Sequence, residues 1–295
     1  MKPSPFTYTA PRTLDEALAA LAEAGHDGKV LAGGQSLLPL LSMRLAAPGR
    51  LIDINRLDEL GFVRVDDGLV RVGALARHAE VERDEAAHDA QPLLRQALRL
   101  VAHPTIRNRG TTVGSIAHAD PSGEMTAVLT LLAGTVEAVS VQGRRDIDAA
   151  DFFLGPLETS LAEGELVQAV RFPVRAPATG TSFVETARRH GDYALVGVAS
   201  LVVLDDDLRI RRAQAAYVSV APTPLLLDLT EAVAGATYDA GDWAGAGRLA
   251  AARTDPEPDI HASAAYRSRL VEVLTARGLA QAARNAAGLT PEGAL

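Results

Sequence analysis

The sequence predicts an α+β chain in three units, and three observations carry that prediction. Residues 6–54 read as strand, helix, strand, Gly-rich turn and strand, a small β-α-β unit. Residues 63–73 alternate apolar and polar side chains around Asp66-Asp67-Gly68, the pattern of a hairpin that opens a larger α/β unit. Beyond Gly180, two long strand patterns come first and three helical patterns follow. That order describes an antiparallel sheet with helices rather than a doubly wound sheet. The expected boundaries are residues 1–57, 58–177 and 178–288, with 289–295 a frayed Gly/Pro-containing tail.

Each element has a local reason. Thr13 is a good N-cap, acidic residues follow it, and Leu14, Ala17, Leu18 and Leu21 fall on one helical face. Gly25 closes that helix. Residues 30–32 form an apolar strand, 33–36 a turn, 37–45 an apolar segment and 50–54 a second strand. Helices start near Arg77 and Pro92. Residues 103–124 are dense in Gly, Thr, Ser, Asn and Asp but interrupted by Ile106, Val113 and Ile116. A surface linker would not need those apolar residues, so the stretch reads as a long loop folded back into the body. Residues 151–155 read as core plus a turn, and 195–198 as a buried strand or helix start. Residues 187–204 and 210–220 read as strands joined at Asp205-Asp206-Asp207, and 222–234, 242–252 and 266–283 as helices.

Composition narrows the function. With 295 residues, 47% of them hydrophobic and 22% charged, the chain can bury a core without staples. A net charge of −8 and the lack of any Lys/Arg run argue against nucleic acid or an anionic membrane as partner. No cysteine is present, which excludes disulfides, cysteine nucleophiles and thiolate-held metals or iron–sulfur clusters within this chain. Seven histidines show no metal-ligand spacing, so no metal site is expected. No run reaches the roughly 18 apolar residues of a membrane span, and the N-terminus has no apolar signal core. The expected setting is the cytoplasm, with a peripheral place at the inner face of the membrane left open.

Two stretches carry the chemistry. In residues 30–36, Gly33 and Gly34 allow close backbone approach and positive φ, while Gln35 and Ser36 add donors. The amides of such a turn can converge on an anion. The alternative is an ordinary strand-to-helix turn. In the second stretch, Thr111, Thr112, Gly114 and Ser115 offer hydroxyls and close amides to a phosphate, and Asp120 and Glu124 suit ribose hydroxyls. The alternative there is an ordered loop that only packs. Two such turns, roughly 80 residues apart, could clamp a pyrophosphate from both sides. Neither is a Rossmann or Walker motif, so the ligand would be a dinucleotide held without a Walker lysine.

The stretches L-A-G-G-Q-S-L-L-P-L-L (31–41), L-I-D-I-N-R-L (51–57) and I-R-N-R-G-T…G-S-I-A-H-A-D-P-S-G-E (106–124) resemble the FAD-binding medium subunit of molybdenum hydroxylases. That family includes carbon monoxide and xanthine dehydrogenases and aldehyde- or N-heterocycle-oxidising relatives. The resemblance continues through D-F-F-L-G-P-L-E-T-S-L (151–161), G-E-L-V-Q-A-V-R-F-P (164–173), R-R-H-G-D-Y-A-L-V-G-V-A (188–199) and D-I-H-A-S-A-A-Y-R (259–267), so it spans nearly the whole chain in order.

By position, the resemblance implies that Leu31, Ala32, Gly33, Gly34, Gln35, Ser36, Leu37 and Leu38 wrap the FAD pyrophosphate. Thr111, Gly114 and Ser115 close the other side, and Glu124, with Asp120 in the same loop, meets ribityl or ribose hydroxyls. Val167 makes an apolar contact to the cofactor. Tyr193 covers one face of the isoalloxazine and is the candidate catalytic residue. The FAD would be non-covalent, since no cysteine exists and no histidine lies in or beside the first loop. Molybdopterin and iron–sulfur clusters would sit on a large and a small partner subunit, in a dimer of heterotrimers.

Two positions depart from the family pattern. Val113 stands where the second loop usually has a glycine, and Glu185 stands where some relatives have a flavin-contacting lysine. Arg107 and Arg109 read as phosphate partners or as loop braces, and His118 as a proton relay or a structural histidine. Two rival functions follow: a stand-alone FAD oxidase or dehydrogenase, or a scaffold subunit that has lost FAD.

Overall fold

The computed structural model describes residues 2–289. The fold is α+β. It opens with β1 (Thr7–Thr9), α1 (Leu14–Ala24), β2 (Gly28–Leu31), α2 (Leu37–Met43) and β3 (Arg50–Asp53), whose strands make a parallel sheet in the order β1-β3-β2. Thr13 caps α1 as expected, its hydroxyl accepting the Glu16 amide, and Gly25 ends the helix at φ 56°. Ala17, Leu18 and Leu21 are the buried face.

The next stretch runs β4 (Val63–Asp66), β5 (Leu69–Gly73), α3 (His78–Arg83), α4 (Glu85–Ala90), α5 (Pro92–Leu98), α6 (Pro104–Arg107), α7 (Thr112–His118) and α8 (Glu124–Leu131). It continues through β6 (Thr135–Ser140), β7 (Gly143–Asp148), α9 (Ala149–Phe152), β8 (Phe153–Gly155), β9 (Glu158–Thr159) and β10 (Leu166–Pro173). Here the main sheet is antiparallel, β4-β5-β10-β6-β7, beside the small β8-β9 pair. The β4–β5 hairpin turns at Asp67 and Gly68, both at positive φ.

One expectation fails in this region. Residues 103–124 are not a long loop: α6 and α7 occupy much of the stretch, and Glu124 begins α8. The polar residues that suggested a loop are caps and turns. The Thr111 hydroxyl accepts the Gly114 amide at the start of α7, while Val113 and Ile116 supply its buried face.

The last stretch holds β11 (Thr179–Ala187), β12 (Ala194–Leu204), β13 (Ile210–Val218), β14 (Leu225–Asp228), α10 (Trp243–Ala252) and α11 (Ala264–Ala286), with an antiparallel sheet in sequence order. Alternation along β12 explains its unbroken apolar run. Ala199 and Leu201 join the core shared with the preceding elements, while Val196, Val198 and Val202 face the core beneath α10 and α11. Residues 222–234 are not a helix. β14 pairs with β13 there, and a short 3-10 turn follows at Thr230–Ala232. The first strand of this sheet, β11, and the start of β12 at Ala194 also differ from the expected 187–204 strand. The expected tail lies, beyond Leu289, outside the described residues.

Candidate functional site

A cavity of about 940 Å³ opens between the first parallel sheet, α7 and the segment leading into β10. Its walls include Ala32, Gly33, Gly34, Gln35, Ser36 and Leu37 from one side, and Thr111, Gly114, Ser115, Asp120 and Glu124 from the other. Val167 and Tyr193 complete the set of expected residues that line it. Leu31 and Leu38 do not line it. Their side chains pack at Gly34, where an added Cβ would lie 3.0 Å from Leu38 and 3.3 Å from Leu31.

The two glycines of the first turn have different reasons. Gly34 adopts φ +73°, a conformation that favours glycine. Gly33 is needed for contact: a Cβ there would sit 2.5 Å from the Arg109 carbonyl oxygen and 2.7 Å from Gly110 Cα. The turn is therefore pressed directly against the chain that leads into α7. Among the described residues, no protein acceptor meets the backbone N–H of Gly34, Gln35, Ser36 or Leu37. The Gln35 side chain donates back to the Gly33 carbonyl at 3.0 Å, which stiffens the turn.

On the opposite wall, Val113 is buried inside α7 and has no positive φ. The branched side chain therefore packs in the core, and the position does not require glycine here. Asp120 accepts the Ser122 amide at 2.8 Å. That loop is pinned twice, by Leu157 N–H donating to the Ala119 carbonyl and by Ser219 N–H donating to the Pro121 carbonyl. The Ser219 hydroxyl also bonds Ser122 at 2.8 Å and Ala194 at 2.7 Å.

Electrostatics at the cavity is unusual. Burial pushes the Glu124 carboxyl up to about 7, with Asp120 adding to the rise. Burial and the neighbouring Glu124 push Glu185, on β11, up to about 8, and its Oε2 has no hydrogen-bond partner. Glu185 is not in the cavity lining. Burial of the hydroxyl end and Asp120 also raise the Tyr193 phenol, which approaches Asp120 and Ser36, while the residue as a whole is 59% exposed at the cavity mouth. His118 lines the wall with its pKa lowered, chiefly by burial.

Arg107 is a brace. Its guanidinium pairs with Glu82 at 2.8 Å and donates to the Val101 carbonyl. Lys29, which sequence reasoning passed over, is the one Lys or Arg of the cavity lining among the described residues. Its position on β2, four residues before Gly33, was the available signal.

The donor set fits FAD. Unpartnered amides on one wall suit an anionic pyrophosphate. Carboxyls on the other suit sugar hydroxyls, and Tyr193 at the mouth suits a ring. The family model described as "FAD binding domain in molybdopterin dehydrogenase" matches residues 4–175, and that for "CO dehydrogenase flavoprotein C-terminal domain" matches 181–282. The chain is 38% identical to the 6-hydroxypseudooxynicotine dehydrogenase complex subunit alpha of Paenarthrobacter nicotinovorans, over 97% of both chains. It superposes on a chain of carbon monoxide dehydrogenase from Hydrogenophaga pseudoflava with a TM-score of 0.89 and 34% identity, covering 97% of this chain and 99% of that one. For quinoline 2-oxidoreductase from Pseudomonas putida 86 the TM-score is 0.90 at 36% identity, with the same coverage. Cavity and comparisons agree: the chain belongs to the FAD-binding medium subunits of the molybdenum hydroxylases, a family of oxidoreductases.

Proposed function

We infer that this chain seats one FAD, non-covalently, with its pyrophosphate between the 32–37 turn and the start of α7. The observation that carries the reading is the pairing of unpartnered turn amides with the facing Thr111, Gly114 and Ser115 across one cavity. Glu124 and Asp120 then accept hydroxyls, Val167 gives an apolar wall, and Tyr193 shields the ring from water. FAD supplies the redox chemistry, taking electrons from an iron–sulfur partner and passing them to an external acceptor. Substrate oxidation takes place on a large molybdopterin subunit, and the complex is a dimer of heterotrimers. Residues 1–57 and 58–177 hold the cofactor, and 178–288 carries Tyr193. The names of the relatives, which mark them as subunits of complexes, support this division of labour. Among the described residues no helix is long and apolar enough to cross a membrane.

The test is a visible spectrum of the chain purified alone and together with the subunits encoded beside it. Bound flavin at one per chain is the expected result. A colourless chain that takes up no added FAD overturns the reading. A yellow lone chain that oxidises a substrate with a soluble acceptor favours the stand-alone enzyme.

A further inference from the structure

The two walls of the cavity come from segments far apart in the chain, and one side chain ties them. Arg77 lies immediately before α3, and its backbone is already fixed to the second wall. It forms an antiparallel bridge with Thr111, the neighbouring His78 N–H donates to the Gly110 carbonyl at 2.9 Å, and Thr112 N–H donates to the Ala76 carbonyl at 3.2 Å. Its guanidinium then forks. Nη1 donates to the Arg109 carbonyl at 2.7 Å, and Nη2 donates to Asn55 Oδ1 at 2.7 Å.

Asn55 carries the tie to the first wall. Its Nδ2 donates to the Ala32 carbonyl at 2.7 Å, the residue just before the Gly33–Gly34 pair. Asp53 holds Asn55 in place, its Oδ1 accepting both the Asn55 amide at 2.9 Å and Nδ2 at 2.6 Å. Tyr8 closes the far end, its hydroxyl donating to Asp53 Oδ2 at 2.6 Å. The Arg109 carbonyl that Arg77 grips is the same atom that a Cβ on Gly33 would strike. Arg77 thus bonds the two strands of chain at the place where they touch.

We propose that Arg77 and Asn55 form a brace that sets the separation of the two phosphate-facing walls, making them positioning residues for the dinucleotide rather than contacts to it. The proposal rests on the FAD reading above. Neither residue lines the cavity, so neither is expected to touch the ligand. Both acceptors of the guanidinium are neutral oxygens, and burial with nearby Arg109 lowers the Arg77 pKa. Without a bonded carboxylate to hold it, this cation is kept in place by geometry that only a planar fork can meet. A lysine, a single point charge on a flexible stem, does not reproduce that fork.

The test uses the full chain stripped of flavin, with Arg77→Lys, Asn55→Ala and the double variant. The dissociation constants of FAD and of ADP, a probe of the pyrophosphate end, are read by fluorescence titration and competition. Each single variant is expected to bind FAD about tenfold more weakly, the scale of one or two lost hydrogen bonds, with ADP weakened by the same factor. Because the two residues share a bond, the double variant should resemble the singles rather than multiply them. A purely structural residue would destabilise the free and the FAD-loaded protein equally and leave both constants unchanged. Unchanged constants, or FAD weakened with ADP unaffected, overturn the brace. Wild-type chain that binds no FAD overturns the site reading itself, and the brace with it. Should Asn55→Ala fail to fold, Asn55→Asp keeps an acceptor for Arg77 while losing the bond to Ala32, and carries the same expectation.

Discussion

The buried Glu124 carboxyl offers a measurable pH signature. Its pKa stands at about 7 in the folded chain against 4.5 unperturbed, and burial is the main cause. Below pH 4.5 both folded and unfolded states hold the proton, and the side chain adds no pH dependence. Between 4.5 and 7 the unfolded chain ionises while the folded one resists, so stability falls as pH rises. Above 7 both are ionised and the full difference is lost, roughly 3 kcal/mol from 1.36 kcal/mol per unit. Glu124→Gln removes the charge while keeping an acceptor of the same size. In denaturant unfolding of the FAD-free chain, the variant should gain on wild type steadily from pH 4.5 to 7. The gain reaches roughly 3 kcal/mol by pH 8. Relief of Glu185, which Glu124 pushes up, acts in the same direction. Parallel stability curves for variant and wild type across that range would refute the burial argument.

Other perturbations test other parts of the site. Gly33→Ala places a methyl on backbone atoms of Arg109 and Gly110 that cannot rotate away, so over-packing of about 1–3 kcal/mol should spread the walls. A fluorescence titration should show FAD binding at least about tenfold weaker, and normal affinity would contradict the contact. His78, buried and held near 4 by burial and Arg107, is neutral at pH 7. It removes stability as pH falls from 6.5 towards 4, by roughly 3 kcal/mol, and His78→Gln should flatten that acid limb of the unfolding curve. Gly191, at φ +86° with the His103 ring against it, fixes the loop that carries Tyr193. Gly191→Ala should raise the fluorescence of bound flavin by displacing that loop, as should Tyr193→Ala by removing the ring.

What could be read from the sequence follows physical range. Caps are short-range side-chain-to-backbone bonds, and Thr13 caps the helix that follows it as its sequence suggests. The Asp-Asp-Gly hairpin is equally local. Residues 103–124 misled because α6 and α7 have only four and seven residues, too few for a helical period to stand out from their caps. Residues 222–234 contain good helix formers, yet pairing with β13 decides their state. The same division runs through the site. Glycine and hydroxyl residues announced both walls, whereas Asn55 and Arg77 are ordinary residues that meet only because the sheet and α3 bring them together.

The location of the unsatisfied groups bears on what the cavity is for. Buried polar groups in native folds generally find partners, because leaving one unmade costs about 1–3 kcal/mol. Here four half-buried turn amides without a protein acceptor face the buried Glu124 carboxyl across the cavity, and Glu185, outside the lining, keeps one buried oxygen unpaired. The amides call for an acceptor, and the carboxyls call for a donor. A ligand with an anionic centre and hydroxyls further along satisfies both walls at once, while a simple anion would satisfy only the first. Glu124, whose buried charge weakens the free chain, is therefore positioned to strengthen the loaded one, and binding should raise stability in proportion to the logarithm of ligand concentration.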